Sequence, residues 1–316
     1  MLTIRTQGRA SRAVDPGGDL YHGMAYMGIP IARSLARRHG AQVVYDARDI
    51  YVDAGNVARL PGPVRGLIGR LERGWARSVG RVVTVNEPYA EVMASRWDVE
   101  QPLIVMNCSY RYQPATPRDR RFHRALDLTP RTPVVLYQGG FSRERGIEPL
   151  IDAIRLVPEV VLVLMGYGPL TGELTRMAAH PALGDRVRIL PAVSPADLLD
   201  WIAAADIVAM PIQPSTLNHR LTTPNKLFEA LAAGVPVVAS DLPGMASIVR
   251  DHGVGVLVDP TNPAAIADAI ADLLADPDRR AAMGARALAA AHRVFNWETQ
   301  AASLIAEYGR LTGRPW

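Results

Sequence analysis

The chain has 316 residues, of which 48% are hydrophobic and 6% aromatic, with one cysteine and a formal net charge of +4. That length points to two domains, the lone Cys108 excludes a disulfide framework and fits a reducing compartment, and no apolar run reaches the roughly 18 residues a spanning helix needs. The opening residues MLTIRTQGRASRAVDPGG lack the apolar stretch of a secretory signal, so a cytoplasmic location is expected. Charge is uneven: residues 1–124 hold 19 Arg against 11 acids, and the remainder is net negative. A basic half attracts anionic surfaces or substrates, although a solvated Arg-rich surface explains it equally well.

In chain order, GGDLYHG (17–23) is a possible first strand, and AQVVYD (41–46) and RVVTVN (81–86) are clear ones. Between the last two, VRGLIGRLERGWARSVG (64–80) has the pattern of a basic amphipathic helix. It suits an anionic membrane face, or packing on its own sheet with Arg in solvent. Residues 108–133, rich in Pro and Arg, carry no sustained period and one short helix. Six strands follow: PVVLYQG (133–139), EVVLVLMG (159–166), RVRIL (186–190), DIVAMPI (206–212), PVVAS (236–240) and GVLVD (255–259), with amphipathic stretches between them. Strand and helix in alternation predict a parallel α/β fold, and strands apolar throughout fit sheets covered on both faces. The expected organisation is a short first domain (1–112), a linker (113–132), a second α/β domain (133–296) and a C-terminal helix (297–316) returning toward the first domain.

One lysine stands among 34 arginines, in TTPNKLFEALAAG (222–234). Thr223 reads as a helix cap, Pro224 as the first helical residue and Gly234 as the terminator. Lys226 then lies in the first turn, where a cation opposes the helix dipole unless an anion sits there too. Asn225 and Glu229 share a face, with Glu229 one turn on, placed to accept from a ribose diol. An ordinary capped helix with a surface lysine fits the same pattern. Two further loops follow strands. QGGFSRERG supplies Gly139 and Gly140 for close backbone approach and Arg143 and Arg145 for phosphate, and MGYGPL supplies Gly166 and Gly168, which also suit a structural turn. Three such loops would line one sheet edge, where α/β folds bind ligands. Asp276–Asp278 spells D-x-D but falls in a helix-to-helix connection and reads as structural. The His and Cys residues show no zinc spacing.

In order, VVLYQGGFSRERGIEPLIDAI, LMGYGPLTGEL, DRVRILPAVSPADLLDWIAAADI, PNKLFEALAAGVPVVASD and GVGVLVDPTNPAAIADAI resemble a family 4 (group 1) glycosyltransferase of the GT-B fold, in the subgroup written P-N-K-L-F-E. The resemblance is good over about 130–312 and looser over 18–110. It implies two Rossmann-like parallel-sheet domains facing across a cleft, the first of them incomplete. It implies a retaining, metal-independent sugar transfer with no cofactor, from a nucleotide diphosphate sugar to a glycan or lipid-linked acceptor in glycan, exopolysaccharide or glycolipid biosynthesis. Contact with the inner face of an anionic membrane, and no nucleic acid, belong to the same reading. By resemblance, Glu229 binds the donor ribose, Arg145 takes the place of a phosphate-binding lysine, and Lys226, Asn225, Thr222 and Thr223 line the donor site. Gly140 replaces a frequent Arg, and the backbone at Pro191 and Ala192 approaches the base. Lys226, Arg145 and His22 carry the catalytic roles, with a structural His22 as the alternative. The family's first glutamate is here Leu221, Met24 and Ala25 replace two polar residues after His22, and the opening strand with its Gly-rich loop is missing. A nucleotide-sugar-binding homologue without transfer, or a GT-B nucleotide-sugar 2-epimerase, is therefore the alternative function.

Overall fold

The structure, a computed structural model, describes residues 10–315 except residue 12. The chain divides into two compact units. The first runs up to Asn107 and adds Thr216–Thr222 and the stretch from Gln300. The second comprises Cys108–Ser215 and Thr223–Thr299.

The first unit is built on four parallel strands: β1 (Leu20–Met24), β2 (Gln42–Asp46), β3 (Arg81–Thr84) and β4 (Leu103–Ile104), in that order across the sheet. Each crossover steps the same way, so right-handed connections put the helices Ala25–His39, Gly62–Ala76 and Glu87–Trp97 on one face. Gly23, Tyr45 and Val82 are in register, and Tyr45 packs with Trp97 of the third helix. His22, Val44 and Arg81, one residue back, therefore point the other way. That second face receives the final helix: His22 meets Tyr308, and Arg81 lies 3.4 Å from Glu307. Two-residue β4 escaped the sequence analysis because it is too short to carry a period.

A piece of the sequence between β8 and the lysine helix belongs to this first unit. The helix Leu217–Leu221 is clamped by four hydrogen bonds. Asn218 Oδ1 accepts from the Ile50 amide at 2.8 Å, its Nδ2 donates to Asp49 at 3.0 Å, its carbonyl accepts from the Tyr89 hydroxyl at 2.9 Å, and Asn86 donates to the Leu221 carbonyl at 2.8 Å. Leu217 and Leu221 pack against the same core as Tyr45 and Trp97.

The second unit holds six parallel strands: β5 (Val134–Gly140), β6 (Val161–Tyr167), β7 (Val187–Leu190), β8 (Ile207–Met210), β9 (Val237–Ser240) and β10 (Gly255–Val258). Their order is β10-β9-β8-β5-β6-β7. The six apolar runs of the sequence are these six strands, and β5, β8 and β9 are almost wholly buried along their apolar residues. The helix Ile147–Leu156 shows how the cover is specified: Ile147, Leu150, Ile151 and Ile154 recur on one face and are fully buried. Each contributes about 1.5–3 kcal/mol by leaving water.

Candidate functional site

From β5 the chain moves outward to β6 and β7. It then returns to the other side of β5 for β8, β9 and β10. The loops leaving β5 and β8 consequently diverge at the carboxyl edge, and the crevice between them is where this class of sheet takes ligands.

The β8 loop leads into the helix Asn225–Ala232. Its start differs from expectation. Pro224, at φ −75° and ψ 146°, occupies the cap position, and the Thr223 hydroxyl donates to the Gly244 carbonyl at 2.5 Å instead of capping. Proline suits the half-in position because it has no N–H to satisfy, which frees Thr223 for the tertiary bond. The far end is as expected. Gly234 is left-handed at φ +68°, its amide donates to Leu231, and Val235 donates to Ala230. Lys226 stays in the first turn.

Lys226 is not a surface lysine: it is only 9% exposed. Its Nζ lies 3.7 Å from the centroid of the Tyr137 ring. The side chain reaches that ring past Gly139, where a Cβ would fall 3.6 Å from Nζ. That is an ordinary contact, and the demand for glycine comes from the backbone: at φ +118° any other residue would be strained. Among the described residues the ammonium makes no hydrogen bond and no ion pair. Burial, aided by Arg145 and opposed by Glu229, pushes it down to about 7. A buried cation without an anion is costly, and proteins keep one where a partner arrives.

Glu229 follows one turn later, half-buried, and accepts from Gln138 Nε2 at 3.3 Å. Burial raises its carboxyl above the usual range against the pull of Gln138 and Lys226. Gln138 Oε1 is buried with no partner among the described residues. Arg145 and Arg143 separate cleanly. Arg145 sits between left-handed Glu144 (φ 69°) and Gly146 (φ 74°), half-buried and near enough to act on Lys226 and Tyr137. Arg143 is exposed and leans toward Glu173 at 3.9 Å.

The structure thus brings together Gly139, Arg145, Lys226 and Glu229, with Gly140 next in the strand and Asn225 exposed at the helix start. It adds Tyr137 and Gln138, which the sequence analysis did not single out. Gly166 and Gly168 serve the fold: a Cβ on Gly166 would come 2.0 Å from the Gly139 carbonyl, and one on Gly168 2.3 Å from that of Phe141. Pro191 and Ala192 are exposed beyond edge strand β7, two strands from β5. Thr222 ends the segment that belongs to the first unit. His22, also there, has both ring nitrogens engaged, by Tyr308 at 2.5 Å and Asp46 at 3.3 Å, contacts of the structural kind left open for it. Asp276 of the D-x-D accepts from the Arg279 amide at 2.9 Å and caps the helix Pro277–Arg293. A cavity of about 460 Å³ opens at the opposite, amino edge of the second sheet. Its Arg118 and Arg121 are already paired with Asp206, Asp119 and Asp200, so it holds no unmet charge comparable to Lys226.

Residues 132–276 match the family described as glycosyl transferases group 1. Among curated proteins, the chain is 36% identical over 212 residues to a D-inositol 3-phosphate glycosyltransferase of Xylanimonas cellulosilytica, covering 64% of this chain and 49% of that one. It is 34% identical over 177 residues to a GDP-mannose-dependent alpha-(1-6)-phosphatidylinositol monomannoside mannosyltransferase of Mycolicibacterium smegmatis, covering 54% and 46%. The chain therefore spans about half the length of the curated relatives it matches. Among solved structures it resembles sucrose-phosphate synthase from Thermosynechococcus elongatus (TM-score 0.82, 24% identity, 99% of this chain and 79% of that one). It also resembles HepE of Anabaena in complex with UDP (TM-score 0.80, 19% identity, 98% and 82%). The two parallel sheets, the smaller one first, are those of the GT-B fold, and over residues 132–276 the sequence is similar to the group 1 glycosyltransferases.

Proposed function

We propose that this chain is a glycosyltransferase that takes a sugar from a nucleoside diphosphate sugar and passes it, with retention, to an acceptor in glycan or glycolipid biosynthesis. The observation that carries the reading is the buried, unpartnered ammonium of Lys226 at the β5–β8 crevice. A diphosphate supplies the missing anion. The first amides of the helix Asn225–Ala232 and the Arg145 guanidinium point positive charge to the same place. Glu229, one turn along, accepts from the ribose hydroxyls. As the bond from the anomeric carbon to the diphosphate breaks, negative charge grows on the leaving group, and fixed positive groups in a dry crevice are worth several kcal/mol there. We propose that these groups take up the leaving-group charge without a metal. The relatives named for GDP-mannose and phosphatidylinositol mannosides support a lipid-linked or polyol acceptor. The helix Gly62–Ala76 supports an anionic membrane as its setting, since Val64 and Leu67 are exposed beside Arg70 and Arg73.

A second reading, a protein that binds the donor without transferring, is favoured by Leu221. That residue stands where the family has a glutamate and packs into the first unit's core. Incubating purified protein with UDP- and GDP-sugars and a lipid extract separates the two. Transfer of labelled sugar supports the enzyme. Tight UDP or GDP binding with neither transfer nor donor hydrolysis supports the second reading and ends the first.

A further inference from the structure

We infer that Tyr137 is a positioning residue for Lys226, its ring forming a seat that holds the ammonium, charged, at the end of β5 where the donor diphosphate arrives. The inference rests on the preceding reading of Lys226 as a phosphate contact.

Four observations converge. Nζ sits 3.7 Å from the ring centroid, well inside the range in which a cation is drawn to a π face. The ammonium has no hydrogen-bond or ion-pair partner among the described residues, and the ring is the one contact its charge makes there. The Cβ position of Gly139 would lie 3.6 Å from Nζ and 3.7 Å from Cε, which puts the ammonium at the end of β5. The ring itself is fixed. Tyr137 is fully buried, its hydroxyl donates to the Gly140 carbonyl at 3.0 Å, and Phe141 packs beside it at 6.3 Å between centroids.

The charged groups around the pair explain why such a seat is needed. Arg145, on the β5 loop, repels the ammonium, and burial disfavours its charge. Glu229, on the lysine's own helix, favours it, and Glu148 of the neighbouring helix acts on Tyr137. A neutral amine would be useless to a diphosphate. The π face opposes deprotonation and fixes where the charge sits. Tyrosine is an ordinary core residue of a strand, so its second role is invisible until the lysine is placed.

The chain's single lysine makes the test direct, because lysine labelled with ¹³C gives one side-chain signal. In the unliganded protein the ε-methylene protons should resonate upfield of free lysine from the ring current, and should return toward the free value in Tyr137→Leu. A wild-type signal at the free-lysine position overturns the seat, whatever the variants do. For binding, UDP and GDP are titrated calorimetrically into wild type, Tyr137→Phe, Tyr137→Leu, Lys226→Ala and the Tyr137→Leu/Lys226→Ala double variant. Tyr137→Phe, which keeps the ring, should stay within about twofold of wild type. Tyr137→Leu should lose about tenfold, as expected for a desolvated cation–π contact, with a steeper loss of affinity as pH rises. In the Lys226→Ala background the same change should cost nothing more. An equal loss in both backgrounds overturns the positioning role and leaves Tyr137 as core. Unchanged UDP and GDP affinity in Lys226→Ala instead overturns the phosphate reading of Lys226, and with it the positioning role. The ring-current shift then still reports whether the contact exists.

Discussion

Glu72 and Lys226 are both buried charges, one in each unit, and they differ in what they lack. Glu72, 1% exposed, accepts a hydrogen bond from the Tyr45 hydroxyl at 2.6 Å. Burial pushes its carboxyl up to about 7, and burial pushes Lys226 down to about 7. The push toward neutrality is thus the same in both places. In the first unit it is met by a closed polar pair, which is architecture. In the second it is met only by a ring, beside Arg145 and left-handed Gly139. Burial of a charge does not by itself mark a site. What sets Lys226 apart is burial without an anion, the ground on which we propose a site there.

The sharpest way to break the comparison is to open the closed pair. Tyr45→Phe removes the donor to Glu72 and should cost the first unit about 2–3 kcal/mol in denaturant unfolding, with UDP affinity unchanged. A loss of affinity would mean that Glu72 is not purely architectural. Next, Lys226→Ala should weaken UDP or GDP binding by about 10- to 30-fold, on the order of 1.5–2 kcal/mol, without lowering the melting temperature, because it removes an unmet charge. A clear fall in melting temperature would show that the contacts of Lys226 outweigh the cost of burying its charge.

The pH dependence should carry opposite signs. Glu72 has a folded value above its unfolded one. Between about 4.5 and 7 the native state holds the extra proton, and stability falls as pH rises through that window. Lys226 has a folded value below its unfolded one. Between about 7 and 10.5 the unfolded state holds the extra proton, and stability rises with pH. Each slope is at most about 1.4 kcal/mol per pH unit. Urea midpoints across pH should lose the first slope in Glu72→Gln and the second in Lys226→Met, and a slope that survives its own substitution refutes that half of the comparison. The smallest effect belongs to Arg143→Ala. Exposed and held only loosely by Glu173, it should change stability by less than about 0.5 kcal/mol and UDP affinity by less than twofold, whereas a larger change in affinity would bring Arg143 into the site beside Arg145.

How far the sequence carried this picture depends on the range of the interaction. Strands of the second sheet were legible because a parallel sheet covered on both faces needs runs of Val, Ile and Leu, and the lysine's place in a first turn was legible from Pro224 and Gly234. The cap itself was misread: Thr-Pro is compatible with either residue at the boundary, and the decision came from Gly244, twenty-one residues on from Thr223. At Gly166 and Gly168 the backbone crowding against Gly139 and Phe141, which requires glycine whatever else these loops do, exists only in three dimensions. Tyr137 looked like core, which it also is. Most distant of all was Asn218. Nothing local says that a loop after β8 carries an asparagine whose three bonds lie with Ile50, Asp49 and Tyr89.

The single lysine has a consequence for proteolysis. A protease specific for lysine has one bond to cut in this chain, Lys226–Leu227, and that bond lies inside a helix whose next residue, Leu227, is fully buried. Cleavage must wait until the helix Asn225–Ala232 leaves its place. Two fragments, one ending at Lys226 and one beginning at Leu227, therefore time the opening of the second unit at one known peptide bond. On the proposed donor reading, a nucleoside diphosphate should slow that clock in proportion to its occupancy.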